Sequence, residues 1–172
     1  VLGGSKGLGA NIVKNLNKIS IKEIVACSSK DIDTSNLKSV EIFCKKHPVA
    51  DIIVLNTGGP PNLKFSEITN EIWTKYFNQL FLGYVNILSN IKIRNRGYIF
   101  NISTALIKEP SSNLMISTSI RIAFTSLLKS LTYEFNKKNV SIISIAPGPF
   151  KTNRIKNLVD DIKKFEKNLP LK

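Results

Sequence analysis

Val1-Leu2-Gly3-Gly4-Ser5-Lys6-Gly7-Leu8-Gly9 opens the chain and sets its glycines in a G-x-x-x-G-x-G array. Glycine permits a sharp turn out of a strand, and without a Cβ its backbone can approach a bound anion closely. Apolar residues then recur at helical spacing from Ile12 to Ile19, which predicts a helix over Ala10–Lys18. Helix N-termini of this kind bind phosphates. Because the spacing is not G-x-G-x-x-G, an ordinary strand-to-helix turn remains the alternative.

Apolar runs alternate with helical stretches along the rest of the chain. Strands of β-branched and apolar residues are predicted at Glu23–Ser28, Asp51–Leu55, Tyr98–Ser103 and Val140–Ala146. Helices are predicted at Asn36–Lys45, Ile68–Lys92 and Asn113–Asn136. This alternation predicts an α/β fold, a doubly wound parallel sheet in three α/β/α layers. Residues 1–172 form one domain, and the glycine turn comes so early that we expect the domain to be incomplete at both ends.

Small and polar residues follow every predicted strand. Ligands of doubly wound sheets bind at the carboxyl ends of the strands, so these exits predict an extended ligand lying along that edge. The exits are Gly3–Gly9, Cys27–Lys30, Asn56–Pro61, Asn101–Thr104 and Ala146–Thr152.

The net charge of +13 does not by itself predict nucleic-acid binding. The lysines are scattered, and arginine, the better reader of phosphates and bases, is rare. We therefore expect a solvated basic surface and no nucleic-acid partner. The arginines are Arg94, Arg96, Arg121 and Arg154.

Cysteine and histidine usage argues against metal and triad chemistry. Cys27 and Cys44 have no motif spacing and are expected to be buried and reduced, and His47 is the only histidine. No apolar run reaches transmembrane length and no signal peptide is visible. The expectation is a cytoplasmic protein with no metal and no membrane association.

In order and spacing, the exit motifs resemble those of the short-chain dehydrogenase/reductase family. The opening array resembles T-G-x-x-x-G-x-G with Leu2 in place of Thr, Asn56-Thr57-Gly58-Gly59 resembles N-N-A-G, and Pro147-Gly148-x-x-x-Thr152 matches P-G-x-x-x-T. The resemblance runs from Val1 to about Lys172 and implies a Rossmann-type sheet that binds a nicotinamide dinucleotide. Two parts of the family's architecture are missing: strand three is deleted or reduced to Asp31-Ile32-Asp33, and the final strand is absent.

The resemblance also implies which residues hold the dinucleotide. An NAD-specific site needs an acidic residue at the end of strand two, whereas this exit reads Ser28-Ser29-Lys30 with Lys6 facing it. Lysines and hydroxyls suit a 2′-phosphate, so NADP(H) is favoured over NAD(H). The predicted cofactor contacts are Gly3, Ser5, Lys6, Gly7, Leu8, Gly9, Ser28, Ser29, Lys30, Asn56, Thr57, Gly58, Arg121, Pro147, Gly148, Phe150 and Thr152.

The family's four catalytic positions all carry other residues here. Ser117 stands at the position of the proton-transferring Tyr, Arg121 at the Lys, Thr104 at the Ser, and Leu80 at the Asn of the proton relay. One divergent branch of the family resembles this chain in its Asn-Thr-Gly-Gly-Pro loop, here Asn56–Pro60, and in the residues at the positions of Leu80, Ser117 and Arg121. Thr104 can still donate to a carbonyl oxygen and Arg121 can hold the ribose, but a serine hydroxyl is no match for a phenol as an acid. The candidate catalytic residues are Thr104, Ser117 and Arg121.

Two functions follow from these residues. The first is an NADP(H)-dependent oxidoreductase that reduces a small carbonyl compound or oxidises an alcohol, with hydride transfer driven mainly by positioning. The alternative is a dinucleotide-binding sensor or scaffold with little or no turnover. The resemblance also implies a homodimer or homotetramer assembled on the long helices, whose aromatic stripe is Trp73, Phe77, Phe81 and Tyr84.

Overall fold

The computed structural model describes residues 1–159 and 161–167. A parallel sheet in the order β1-β2-β3 lies at its centre, formed by Val49–Leu55, Lys92–Ile102 and Ser141–Ile145. The helices are α1 (Gly7–Leu16), α2 (Leu37–Lys46), α3 (Asn70–Phe77), α4 (Gly83–Asn90), α5 (Met115–Asn136), α6 (Asn153–Leu158) and α7 (Ile162–Lys167). The predicted α/β architecture with a parallel sheet is confirmed.

Two parts of the chain, the residues before the glycine turn (Val1–Leu2) and the predicted strand Glu23–Ser28, are present only as short extended segments beside β1. Leu2 N donates to Val54 O at 3.0 Å, and Gly4 N donates to Cys27 O at 2.8 Å. The prediction of a regular strand over Glu23–Ser28 is wrong, because its pairing partner leaves the extended conformation at Gly3, where φ is +59°. The segments still line up in the order expected of a Rossmann-type sheet.

The long helix predicted over Ile68–Lys92 is divided and shorter. A π-helical turn, Asn78–Leu82, joins α3 to α4, and α4 ends at Asn90 so that β2 begins at Lys92 rather than near Tyr98. The first residues of β2 pair with β1 in a different register from the remaining residues. The strand bulges at Arg96, where φ is +62°. This bulge lets β2 extend back through residues 93–97, which the apolar pattern assigned to no element, to Lys92, which it assigned to a helix.

Buried apolar side chains form two clusters, one around the sheet and one between helices. In the larger, β-strand residues Leu55 and Ile99 are fully buried against helices α2, α4 and α5. In the smaller, Leu80 of the π-helical turn packs with Ile116 and Ile120 of α5. The second core matters for function because it fixes the start of α5, where Ser117 lies.

Two segments lie at the margins of the sheet. Asp31–Asp33, the candidate remnant of strand three, is a loop that buries Ile32. Beyond Thr152, where no element was predicted, α6 and α7 follow. Residues 168–172, for which the sequence also predicts no element, lie outside the described residues.

No helix in residues 1–159 and 161–167 has both the length and the apolar character needed to cross a bilayer. Across the same ranges, no group of three or more His, Cys, Asp or Glu side chains could hold a metal ion.

Candidate active site at the carboxyl edge of the sheet

The glycine loop, Val1–Gly9, is packed tightly against the exit of β1. Asn56 Nδ2 donates to Leu2 O at 3.3 Å. A Cβ on Gly3 would lie 2.5 Å from Asn56 O, and a Cβ on Gly9 would overlap the carbonyl oxygen of Gly3. The array therefore holds glycine at these two places because neighbouring backbone lies in contact there, whereas the sequence pattern predicted close approach to a bound anion.

The N-terminus of α1 faces open space. Its N-cap, Lys6, makes no side-chain cap, whereas Asn36 caps α2 by accepting from Ser39 N at 3.2 Å. A Cβ on Gly7 would meet only Thr152 Cγ2, at 3.9 Å. The first-turn N–H groups of α1 are thus left for an external anion, in the gap between the glycine loop and Thr152.

At the exit of the extended segment Glu23–Ser28, Ser28 is hydrogen-bonded to Asp31, a residue outside the predicted set of cofactor contacts. Asp31 Oδ2 accepts from Ser28 Oγ at 2.6 Å and from Ser28 N at 2.7 Å. These hydrogen bonds lower the pKa of the Asp31 carboxyl, so it is ionised at neutral pH. The Ser28 hydroxyl is occupied by this contact, while Ser29, Lys30 and Lys6 remain exposed.

Two side chains from the divided helix hold the loop after β1. Thr57 Oγ1 and Tyr84 Oη lie 2.8 Å apart, and Gln79 Nε2 donates to Gly58 O at 2.6 Å. Gln79 belongs to the π-helical turn, a feature that often marks functional sites. Sequence reasoning missed Gln79 because nothing in a regular helical pattern aims that residue at the loop.

Tyr84 is not a replacement for the family's catalytic tyrosine. Its side chain is 1% exposed, and burial raises the pKa of its phenol, an effect that nearby Arg121 partly offsets. A buried phenol held protonated beneath Thr57 cannot exchange protons with a substrate. Tyr84 acts instead as a support for the loop.

The exits of β2 and β3 are joined by backbone contacts. Ala105 N donates to Pro147 O at 2.9 Å, which places Thr104 beside the Pro-Gly loop. Thr104 Oγ1 accepts from Leu106 N at 3.3 Å, so its own proton stays available to donate. A Cβ on Gly148 would touch nothing within 4 Å, and this loop is therefore open on one side.

Ser117 and Arg121 form one unit on α5. Arg121 Nε donates to Ser117 Oγ at 3.3 Å, and its Nη1 donates to Ile102 O at 2.9 Å. Burial lowers the pKa of Arg121, but a guanidinium remains charged in proteins. Since Ser117 accepts this bond, its proton is free to point toward a ligand.

Leu80 makes the neighbouring wall apolar. The residue is fully buried and packs against Ile116 and Ile120. A leucine side chain has no polar atom with which to hold a water. The substitution inferred from the resemblance therefore fills this wall with hydrocarbon rather than with a proton relay.

Arg154 is a further site residue that sequence reasoning missed. Its Nη2 donates to Pro60 O, and a Cβ on Gly59 would lie 3.2 Å from this Nη2 and 3.7 Å from Ser117 Oγ. Burial and the nearby charge of Arg121 lower the pKa of Arg154. In the sequence, Arg154 could have been noticed because it lies two residues after Thr152 in a chain that has few arginines. Only the structure shows that α6 turns back onto the loop Gly58-Gly59-Pro60.

The remaining predicted cofactor residues lie on the surface. Ser5, Ser29, Gly148 and Phe150 are exposed, and Leu8 is half-buried. The contacts between loops described above bring all five strand exits to one edge of the sheet.

Known proteins resemble this chain in sequence and in fold. A reductase of Bacillus subtilis, "NADPH-dependent reductase BacG", is 25% identical over 95% of this chain and 75% of its own length. A "3-oxoacyl-[acyl-carrier-protein] reductase FabG" of Buchnera aphidicola is 26% identical over 100% of this chain and 81% of its own length. Among solved structures, a short chain dehydrogenase from Burkholderia cenocepacia, crystallised in complex with NADP, superposes with a TM-score of 0.79. It is 18% identical, with 93% of this chain and 76% of that chain covered, which shows the shared fold.

The profile of one family accounts for most of the molecule. The match covers residues 33–163, from the loop before α2 to the start of α7. It therefore includes the β1 exit, Thr104, the Ser117–Arg121 unit and Arg154. This chain belongs to the short chain dehydrogenase family.

Proposed function

We propose that this protein is an NADP(H)-dependent oxidoreductase that reduces a small carbonyl compound or oxidises the corresponding alcohol. The observation that carries the proposal is the uncapped N-terminus of α1, which opens onto the edge where all five strand exits meet. The similarity to an NADPH-dependent reductase and to a fold solved with NADP supports the choice of cofactor.

The residues at this edge fit a dinucleotide. The first-turn N–H groups of α1 and the close-packed glycine loop suit the pyrophosphate, because no side chain occupies the space beside Gly7. Exposed Lys6 and Lys30 suit a 2′-phosphate. Arg121 would hold the ribose, since it keeps donors beyond those spent on Ser117 and Ile102.

The nicotinamide supplies the hydride when bound, and the protein has to orient the substrate and stabilise charge on its oxygen. Thr104 donates a hydrogen bond to that oxygen and so polarises the carbonyl. Arg121 places a positive charge behind Ser117, which polarises the serine O–H toward the same region. The proton that completes the alcohol comes from water or from the substrate, because Leu80 removes the relay and Tyr84 is buried.

Cofactor choice is tested by titrating NADPH and NADH. We expect tighter binding of NADPH, and we expect Lys6→Ala to weaken NADPH binding about tenfold while NADH binding is unchanged, since only NADPH carries the extra phosphate. Lys14→Ala, an exposed lysine at the other end of α1, is the matched control and should change neither. Equal or tighter binding of NADH would contradict the proposal, as would an unaltered NADPH affinity in Lys6→Ala.

Turnover is tested with a panel of small carbonyl compounds and Ser117→Ala. If Ser117 only donates a hydrogen bond, the variant should retain activity within about a factor of ten, well short of the 10²- to 10⁴-fold loss typical of a general acid. Ser119→Ala, an exposed neighbour on α5, is the control. Loss of all turnover in Ser117→Ala with intact NADPH binding would show that Ser117 takes part in the chemistry. NADPH binding without turnover of any carbonyl by the wild type would leave the oxidoreductase proposal without support.

We further propose that α3 and α5 form a subunit interface. Tyr84 and Phe81 of the aromatic stripe pack inward, Phe81 against Phe124 at a ring-centroid distance of 5.8 Å. Phe77 and Ile122 are 40% and 42% exposed, which leaves apolar surface on both helices. Sedimentation at micromolar concentration should show a dimer or tetramer, and Phe77→Glu should yield monomers. A monomeric wild type would refute this.

The two thiols are consistent with a reducing compartment, and we propose a cytoplasmic location. Cys27 and Cys44 are both buried and free, and burial raises the pKa of each.

A further inference from the structure

The loop after β1 contains one peptide group that no side chain of the loop itself can fix. Before this peptide, Thr57 Oγ1 lies 2.8 Å from Tyr84 Oη, and after it Pro60 is fully buried. The peptide itself joins Gly58 to Gly59. Because glycine backbone rotates at little steric cost, the orientation of this peptide depends on a partner outside the loop.

Gln79 is that partner. Its Nε2 donates to Gly58 O at 2.6 Å. Every peptide bond among the described residues is trans, and in a planar trans peptide the C=O and the following N–H point in opposite directions. The Gly59 N–H therefore points away from the π-helical turn. Within residues 1–159 and 161–167 it donates to no protein acceptor.

The π-helical turn explains how Gln79 and Tyr84 reach the same loop. They are five residues apart, and in a regular α-helix such residues lie about 140° apart around the axis. Here Gly83 N donates to Asn78 O, and a bond over five residues brings residues of this spacing to the same side of the helix. The turn thus lets two side chains of one helix hold adjacent residues of the loop.

We propose that Gln79 is a positioning residue, which fixes the Gly58–Gly59 peptide so that the Gly59 N–H is directed at the bound dinucleotide. The inference rests on the proposed function, because the dinucleotide is the ligand expected along this edge of the sheet. The same loop is held on its other side by the glycine loop, where Asn56 Nδ2 donates to Leu2 O at 3.3 Å. An N–H that points away from the helix is thus directed into the edge where the strand exits meet.

Two substitutions of Gln79 act on the peptide in different ways. Gln79→Glu keeps the size of the side chain, but at pH 8 its ionised carboxylate cannot donate to Gly58 O and accepts from the Gly59 N–H instead. The peptide is thereby reversed, and NADPH should bind at least tenfold more weakly. Gln79→Leu holds neither orientation, so the competent one stays partly populated and the affinity should fall about threefold. Fluorescence of bound NADPH measures both affinities.

Urea unfolding separates positioning from a purely structural role. Gln79→Glu retains a hydrogen bond to the loop and Gln79→Leu has none, so we expect the leucine variant to have the lower urea midpoint. The order for NADPH affinity is the reverse. If the leucine variant shows the larger loss in both measurements, Gln79 only stabilises the fold and the proposal fails.

Asn78→Asp is the matched control for the added charge. It makes the same amide-to-carboxylate change in the same turn, but Asn78 lines a surface hollow beside Ser35 and Thr74. The variant should bind NADPH as the wild type does. A tenfold loss in Asn78→Asp would show that the negative charge alone weakens binding, and this would overturn the proposal.

Nuclear magnetic resonance of glycine-labelled protein reports on the peptide without turnover. The chain has nine glycines, and the Gly59 amide signal is identified by its absence in Gly59→Ala. We expect this signal to shift when NADPH is added to the wild type, and to shift in cofactor-free Gln79→Glu because the N–H then donates to a carboxylate. An unchanged Gly59 signal in Gln79→Glu would overturn the inference. If the wild type does not bind NADPH, the proposed function fails, and the signal in the cofactor-free proteins still decides whether Gln79 sets the direction of this N–H.

Discussion

Gly3→Ala is expected to lower the free energy of unfolding by about 3 kcal/mol or more. Two costs combine at this position. Gly3 has φ of +59°, a conformation that costs an L-residue roughly 1–2 kcal/mol. Its Cβ would also stand 2.5 Å from Asn56 O and 2.9 Å from Asn56 Nδ2, and the first of these is backbone that cannot turn aside. Urea unfolding of the purified variant measures the loss.

Gly7→Ala separates the two costs. Gly7 has nearly the same φ, +54°, but a Cβ there would meet only Thr152 Cγ2 at 3.9 Å. It should therefore cost only the conformational part, about 1–2 kcal/mol. Gly58→Ala, where a Cβ touches nothing within 4 Å and φ is not positive, should change stability little. Equal losses in Gly3→Ala and Gly7→Ala would show that contact with Asn56 does not matter.

Arg121→Met is expected to weaken NADPH binding by about 100-fold, the next largest effect. The substitution keeps an apolar stem of similar length but removes the donors to Ile102 O and Ser117 Oγ. The guanidinium donors proposed to reach the ribose are lost as well, and one hydrogen bond from a charged group to a ligand contributes about 1.5–3 kcal/mol, which is the source of the expected loss of affinity. Fluorescence titration of NADPH measures the affinity, and far-UV circular dichroism establishes that the variant is folded.

Arg121→Lys tests whether the positive charge alone is sufficient for NADPH binding. Lysine keeps the charge but cannot make both of these bonds in the same fork geometry, so an intermediate loss of affinity is expected. If a folded Arg121→Met binds NADPH as tightly as the wild type, Arg121 has no role at the cofactor and serves only to hold Ser117 against β2.

Local sequence was sufficient for the parts of the site made of backbone. The glycines of the opening array could be assigned because close contact and positive φ exclude other residues, and the structure has both at Gly3. The helices α2 and α5 were also predictable, since their apolar spacing matches a buried face. Local pattern failed over Glu23–Ser28 and at the start of β2, where regularity depends on a neighbouring segment.

The amino-acid sequence by itself determined the order of the elements and the edge of the sheet that carries the ligand-binding loops, because these follow from periodicity and from glycine and proline chemistry within short windows. The family was identified by the resemblance of the loop motifs to those of known members. Only the tertiary structure decided which side chains share a space. Arg154 reaches Pro60, Gln79 reaches Gly58, and Asp31 captures Ser28 through contacts that depend on how helices and loops pack. The physical reason is that a side chain's electrostatic partners are set by distance in space, and no spacing along the chain specifies that distance.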